Sequence, residues 1–378
     1  MTPLLSIVVP TKNRYYFMKK LVLLIDSYKW GDDVELLIQD NTIINDEILE
    51  FLKKGNYLFV SYYHELKSLS QSGNSDLAVR NSKGEYVCFI GDDDGVTKDI
   101  LECCKWMKEK GIECALPERI DYYWPDAHPN SKGALNTPIF TKEIHEHSSL
   151  SALQKLLKRG CVDRGNIPFL YQGIAKKETL DKIWNKCGTY FPGASPDIAN
   201  GVSLCMVADK FVTISAPLII GGVSKYAAGG INSLKYHAET DLSKVSQLPS
   251  NILDVWSNKI PIIWTNPTIW CESVVEALNV WGRQDLIEQI DFEKLYEYFV
   301  VFYKPYKNMA YKLTLNRRKL FFNCCILQLK HYWDSLDRRI RKYLHLKQKY
   351  ITITGLKDII DVCKYYKSNG YNFQDIKG

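Results

Sequence analysis

The feature that most constrains the fold is an alternation of short apolar, β-branched runs with segments of helical spacing over the first third of the chain. Leu4–Val9 (LLSIVV), Val34–Gln39 (VELLIQ) and Tyr86–Ile90 (YVCFI) are nearly continuous apolar stretches. They carry no in–out alternation, as expected of strands buried on both faces of a parallel sheet. Tyr57–Tyr63 supplies a further strand. Phe17–Ser27, Asp46–Lys54, Asp76–Ser82 and Lys98–Lys110 have helical spacing, the last stopped by Gly111. Strand and helix in strict alternation predict an α/β fold, a doubly wound and mostly parallel sheet. Polar residues collect where those strands end: Thr11 and Asn13, Asp40, and the triplet Asp92-Asp93-Asp94 between Gly91 and Gly95. Ligands of open α/β sheets bind at that edge.

The middle of the chain is less regular. Residues 117–147, rich in Pro, Asn, Tyr and His, read as a long loop, a lid over one substrate. Ser149–Arg159, Glu178–Lys186 and Asp197–Ala208 read as helices, and Leu170–Ala175 and Phe211–Ile214 as strands. The glycine-rich stretch Gly221–Gly230 reads as a loop able to fold over a diphosphate, with Lys225 neutralising charge. From about Asn251 the pattern is helical and aromatic, with one further strand at Tyr350–Thr354. The expected organisation is therefore an α/β domain over 1–245, with halves 1–115 and 116–245, and a mainly α-helical region over 246–378.

Bulk properties exclude several classes. With 46% hydrophobic and 24% charged residues in 378, the chain can bury a core without covalent staples. The eleven cysteines include the adjacent pairs Cys103-Cys104 and Cys324-Cys325 and no C-x-x-C, which argues against a disulfide framework or a zinc ribbon and for reduced, cytoplasmic thiols. His145 and His147 lack downstream partners at ligand spacing and read as polar loop residues. The opening MTPLLSIVVPTKNR has no basic region ahead of a long apolar one, so no signal peptide is expected. The net charge of +6 is concentrated: residues 311–350 hold eleven Lys/Arg against Asp334 and Asp337, a local +9 that leaves about −3 elsewhere. Basic, aromatic helices of this kind lie on anionic membranes. Contact with an anionic membrane surface through 311–350 is one expectation, with a solvated basic helical face as the alternative, and nucleic-acid binding is not expected.

The Asp triplet carries the most chemical information. Three adjacent carboxylates behind an apolar strand repel one another, and a hard cation would stabilise them; a solvated acidic turn is the alternative. The segments SIVVPTKNR, LLIQDN and GEYVCFIGDDDG together resemble glycosyltransferase family 2, of GT-A fold, clearly over residues 4–100 and more loosely over 165–230. The resemblance implies that Pro10 and Thr11 line a nucleoside pocket with Asn13 and Arg14 beside it. It implies that Asp40 accepts a hydrogen bond from the base, and that Asp92, Asp93 and Asp94 hold Mn2+ or Mg2+ in place of the family's D-x-D. Gly91 stands where that motif has its first Asp, so the ligands are either Asp93 or the pair Asp92 and Asp94. Gly73, Asn74 and Asp76 fall where the family approaches sugar or pyrophosphate, without its usual Ala-Arg-Asn. Asp197, behind Ser195-Pro196 at a helix start, corresponds to the general base; a helix-terminal acid is its plainer reading.

The resemblance thus implies a metal-dependent, inverting hexosyltransferase of polysaccharide biosynthesis. It would move a hexose or N-acetylhexosamine from a UDP-sugar to a saccharide, lipid-linked or polysaccharide. The Gln-x-x-Arg-Trp of processive members is absent, so one sugar is expected per event. The competing reading is a catalytically silent glycosyltransferase-like scaffold at the membrane; retention of the Asp triplet and Asp197 speaks against it.

Overall fold

A computed structural model describes residues 2–128, 131–225, 238–245, 248, 251–344 and 350–376. Among the described residues thirteen strands form two sheets, and the first helices are α1 (Tyr15–Asp26), α2 (Asp46–Gly55), α3 (Gln71–Asn81), α4 (Ile100–Lys110), α5 (Ser149–Lys158), α6 (Lys177–Cys187) and α7 (Pro196–Val207). The strands are β1 (Leu5–Thr11), β2 (Val34–Asp40), β3 (Val60–His64), β4 (Tyr86–Phe89), β5 (Gly95–Val96), β6 (Cys114–Pro117) and β7 (Asp121–Tyr123), then β8 (Ala134–Pro138), β9 (Ile144–Ser148), β10 (Ile174–Lys176), β11 (Lys210–Ile214), β12 (Ile219–Val223) and β13 (Tyr350–Thr354). The main sheet has the order β3-β2-β1-β4-β10-β6-β11-β9. β1 pairs in parallel with β2 and β4, and β2 with β3, while β10 and β9 run against their neighbours.

The continuous apolar runs sort onto two faces by the twofold repeat of a strand. Leu5, Ile7, Val9, Leu36, Ile38 and Cys88 enter one core, against the helix α1 (Tyr15–Asp26). Val8, Leu37, Val87 and Phe89 enter the other, against α3 (Gln71–Asn81), α6 (Lys177–Cys187) and α7 (Pro196–Val207). This is the expected GT-A-like layering of helices on both faces of a mostly parallel sheet. The chain leaves β1 toward β2 on one side and later returns to β4 on the other. The β1–β4 crevice is therefore the switch point where α/β sheets bind ligands.

Three features depart from the sequence-based expectation. First, residues 117–147 are not a long loop, for β7, β8 and β9 lie within them, joining both sheets. Their polar composition hid short strands: β7 and β8 pair with each other, while their outer partners β12 and β13, and β11 beside β9, lie far away in sequence. His145 and His147 sit on β9, and among the described residues no metal-ligating cluster forms around them. Second, α3 begins at Gln71 because Ser70 caps it, its hydroxyl accepting from Gly73 N at 3.1 Å. Third, Gly221, Gly222 and Val223 belong to β12 rather than to a loop; residues 226–230 of that stretch lie outside the described residues.

Helices follow Asn251, including Asn266–Val280, Phe292–Phe302 and Arg317–Tyr343. The last residues return to the first half of the chain. β13 pairs with β8, Lys20 meets Asp358 at 2.8 Å, and Tyr366 donates to Thr137 at 2.8 Å.

Candidate active site

β1, β4 and β12 bring the central groups together. After Thr11, Asn13 adopts a left-handed conformation (φ 61°), one that Asn tolerates better than most residues, and its N–H donates to Thr42 Oγ1 at 2.8 Å. That turn leaves Arg14 at the mouth of α1, aimed back at the triplet. Arg14 Nη1 lies 3.0 Å from Asp92 Oδ1 and its Nη2 2.7 Å from Asp93 Oδ2. The same guanidinium donates to Ser224 Oγ and stacks 5.0 Å over the Phe17 ring. Thr11 donates to Asp92 Oδ2 at 2.7 Å.

All three aspartates are buried. Asp93 Oδ2 accepts from Ser224 Oγ at 2.6 Å, and the Asp93 carbonyl from Trp124 Nε1 at 2.9 Å. Asp94 accepts from Gly91 N at 2.7 Å, Gly222 N at 2.6 Å and Gln172 Nε2 at 3.3 Å. Gly222 is obligatory here, since a Cβ would lie 1.8 Å from the Asp93 carbonyl oxygen. Burial, with Asp93 adding repulsion, pushes Asp94 above the usual carboxylate range against the pull of its donors. Burial does the same to Asp92, opposed chiefly by Arg14. On Arg14 the burial penalty is outweighed by Asp92 and Asp93, which hold the guanidinium above its ordinary value.

Three carboxylates facing one guanidinium leave an excess of buried negative charge. Their hard oxygens fit a divalent cation that takes one or two carboxylates and completes its shell with phosphate and water. Among the described residues no three His, Cys, Asp or Glu side chains converge on one point. A cation at Asp92 and Asp93 would have to share oxygens that Arg14 now holds.

Beside the triplet opens a cleft of about 540 Å³, lined by residues that include Asn13, Arg14, Tyr15, Thr42, Ile44 and Asp126. Asp40 lies beneath its wall, fully buried. It accepts from the hydroxyls of Tyr15 and Tyr62, each at 2.7 Å, and from Thr42 N at 2.8 Å. Pro10 is half-buried at the end of β1. Asn74 is buried in α3, its Nδ2 donating to Gln39 O at 3.3 Å while its Oδ1 has no partner. Asp76 accepts from Thr189 Oγ1 at 2.7 Å and Tyr190 N at 2.8 Å, tying α3 to the segment before α7.

Asp197 stands in the first turn of α7, behind Pro196. Its Oδ1 accepts from Ser195 Oγ at 2.7 Å and Ile198 N at 2.9 Å. Its Oδ2 lies 3.5 Å from Arg164 Nε, with 22% of the side chain exposed. No direct hydrogen bond or ion pair joins Asp197 or Asp76 to the triplet. The link on the Asp197 side runs through residues that sequence reasoning missed. Arg164, beside Asp197, acts by its charge on Tyr171, whose hydroxyl accepts from Gln172 Nε2 at 3.4 Å, and the same Nε2 reaches Asp94 at 3.3 Å; burial, aided by the charge of Asp94, pushes the Tyr171 hydroxyl well above its usual range. Gln172 adopts a left-handed conformation (φ 58°), and its N–H donates to Phe89 O at 2.8 Å, which seats Tyr171-Gln172 at the end of β4. Gly222 and Ser224 fall within the Gly221–Gly230 stretch singled out from the sequence, but their contacts with Asp94 and Asp93 from the strand β12 and its end were not foreseen.

The sequence model of the family described as "Glycosyl transferase family 2" matches residues 6–164, which contain β1 through α5 (Ser149–Lys158) and the whole triplet. Residues 6–164 belong to glycosyltransferase family 2. The match stops short of the looser resemblance over 165–230. The chain is similar to the "GalNAc(5)-diNAcBac-PP-undecaprenol beta-1,3-glucosyltransferase" of Campylobacter jejuni, 27% identical over 111 residues, 29% of this chain and 36% of that protein. It is also similar to the "Uncharacterized protein y4gI" of Sinorhizobium fredii, 25% identical over 138 residues, 35% of this chain and 15% of that one. The matches thus span about a third or less of the length of these curated relatives. Among solved structures, residues 1–349 of S. aureus TarS in complex with UDP-GlcNAc match with a TM-score of 0.51 at 17% identity, covering 85% of this chain and 79% of that one. This glycosyltransferase family 2 domain therefore shares its GT-A-like fold with TarS.

Proposed function

We propose that this chain transfers a hexose or N-acetylhexosamine from a UDP-sugar to a saccharide hydroxyl, inverting the anomeric centre and adding one sugar per event. The observation that carries the reading is the buried Asp92–Asp94 triplet, held by Thr11 and Arg14 at the β1–β4 crevice beside an open cleft. In this reading the nucleoside occupies the cleft between Asn13, Tyr15 and Thr42. Pro10 and Thr11 stand behind it at the end of β1, just before the lining residues Asn13 and Arg14, and Asp40 shapes the base end through Tyr15 and Thr42. Asn74, with its unpartnered Oδ1, and Asp76 belong to the donor side, Asp76 by holding α3 in place.

The acidic triplet would hold Mn2+ or Mg2+. A bound divalent cation would supply positive charge against the diphosphate as it leaves. Arg14 already reaches Asp92 and Asp93, and its guanidinium would add to that charge. On the acceptor side, Asp197 Oδ2 would take the proton from the attacking hydroxyl. As the new carbon–oxygen bond forms at the anomeric carbon, the bond to the diphosphate breaks. The half-exposed setting of Asp197, on a rigid helix start, suits that task.

The C. jejuni relative is named for a lipid-linked acceptor. The same class, a saccharide on a lipid or polysaccharide carrier, is proposed here. The enzyme would then work on the cytoplasmic side of the cell membrane, touching its surface through 311–350. Among the described residues no helix is long and apolar enough to cross a membrane. The test is UDP release from candidate UDP-sugars with saccharide acceptors, with and without manganese. Release that depends on both donor and acceptor supports transfer; no release from any UDP-sugar overturns it.

A further inference from the structure

The helix Arg317–Tyr343 is the longest in the described structure, about 40 Å at 1.5 Å per residue. Among the described residues its buried side chains lie on one side. Leu320 and Cys324 are buried against Phe292–Phe302, and His331 meets the Phe302 ring edge-on at 5.2 Å. At 100° per residue, Phe321, Phe322, Leu329, Tyr332, Trp333 and Ile340 fall in a wedge of roughly 120° on the side away from Leu320 and Cys324. All six are exposed, Leu329 by 61% and Trp333 by 65%. Large apolar side chains in a continuous exposed stripe mark an interaction surface. Arg318 falls within the same wedge at the start of the helix, Arg317 and Arg339 lie along one edge of the stripe, and Lys330 and Arg341 lie beyond the other, within the segment of local charge +9. Asp337, paired with Arg341 at 2.7 Å, is one of only two acids in that segment.

We propose that this stripe is the membrane-inserting face of the protein. The helix would lie in the plane of an anionic lipid surface, with Phe322, Leu329 and Trp333 among the acyl chains and the bordering cations at the headgroups. This deepens the membrane contact of the reading above and rests on it. Charge selects the occupant: a stripe edged by cations on both sides meets an anionic headgroup layer without leaving charge unpaired. A second copy of the same basic helix would set like charges together.

Cys325 lies on the stripe and is exposed, whereas the other cysteines are buried apart from the half-buried Cys187. In a Cys187→Ser background an environment-sensitive NBD dye on Cys325 therefore reports the stripe. With phosphatidylglycerol-containing vesicles the emission is expected to shift to shorter wavelength and to be quenched by doxyl-labelled lipid, with no shift on phosphatidylcholine. Leu329→Glu or Trp333→Glu is expected to lower vesicle partition by about tenfold or more at low salt. Lys330→Glu with Arg339→Glu is expected to do the same in a salt-dependent way, at about fivefold per charge. Salt-sensitive sedimentation with anionic vesicles, without any dye shift, would overturn insertion and leave only surface adsorption. Loss of sedimentation as well would overturn the membrane contact itself. A shift that grows with protein concentration without vesicles, alongside a doubled mass in light scattering, would assign the stripe to a second copy and overturn the proposal.

Discussion

Arg14 Nη2 lies 2.7 Å from Asp93 Oδ2, and the same guanidinium reaches Asp92 through Nη1 at 3.0 Å. A single side chain thus neutralises part of a three-carboxylate cluster while standing at the rim of the cleft. Removing one partner of a largely buried ion pair leaves the other charge uncompensated. Arg14→Ala is therefore expected to destabilise the chain by about 2–3 kcal/mol, discounted for the partial exposure of Arg14. Manganese should raise the melting temperature of this variant more than that of the wild type, because the ion then has Asp92 and Asp93 to itself. An equal or smaller manganese shift would mean that the two cations do not share a site. Thermal unfolding with and without manganese reads both effects.

Metal dependence of transfer is the second expectation. EDTA should abolish sugar transfer, and manganese or magnesium should restore it. Asp93→Asn and Asp94→Asn should weaken UDP binding in manganese, which separates these ligands from groups serving the acceptor alone. Full activity in chelator would remove the cation from the reaction. Calorimetric titration of UDP into each variant checks the assignment.

Asp197→Asn is expected to lower kcat by roughly 10²–10⁴-fold, the range for a positioned proton acceptor. Donor affinity should change little, since Asp197 contacts Ser195, Ile198 and Arg164 and not the triplet. A near wild-type rate would reduce Asp197 to a helix-terminal acid. Loss of UDP-sugar binding would place it on the donor side.

The parallel core was legible because a strand buried on both faces must be almost wholly apolar, and LLSIVV, VELLIQ and YVCFI have no other economical use. The triplet stood out as adjacent carboxylates at a strand end, whereas Thr11 and Arg14 were singled out only through the resemblance to glycosyltransferase family 2; that both touch the triplet is a finding of the structure. What sequence hid depends on pairing over long separations. Gly222 and Ser224 reach Asp94 and Asp93 across more than a hundred residues of chain. Gln172 reaches Asp94 from a left-handed turn whose N–H bonds the end of β4. The strands within 117–147 are short and polar; β7 and β8 pair with each other, but their outer partners β12 and β13 are reached only through the fold. The burial of Asp40 under Tyr15 and Tyr62 was likewise invisible, since no local signal tells a carboxylate lining a cleft from one that braces its wall.

Gly222→Ala tests that long-range pairing. The added carbon would meet the Asp93 carbonyl oxygen at 1.8 Å, so β12 must move, and the Gly222 N–H would leave Asp94. The expected loss is about 2–4 kcal/mol, the scale of a backbone clash combined with an unsatisfied buried carboxylate. UDP affinity should fall with it. Wild-type stability would show that the two segments do not touch in solution. Denaturant unfolding gives the first quantity and calorimetry the second.

Glu272, in the helix Asn266–Val280, is fully buried. Its Oε2 accepts from Ser257 N at 2.9 Å, and its Oε1 has no partner. Burial, with a smaller contribution from Glu276, raises its pKa to about 7, against the pull of the Ser257 N–H. A carboxyl whose folded pKa lies above its unfolded one binds its proton more tightly in the folded chain. Stability is then highest below the unfolded value near 4.5 and falls as pH rises toward 7, where the buried group must ionise. Gln mimics the protonated acid and carries no charge at any pH. Glu272→Gln is therefore expected to be roughly 1–3 kcal/mol more stable than the wild type at pH 8 and to lose that advantage by pH 5. Parallel melting curves across that range decide it, and a difference that does not change with pH would place the titration elsewhere.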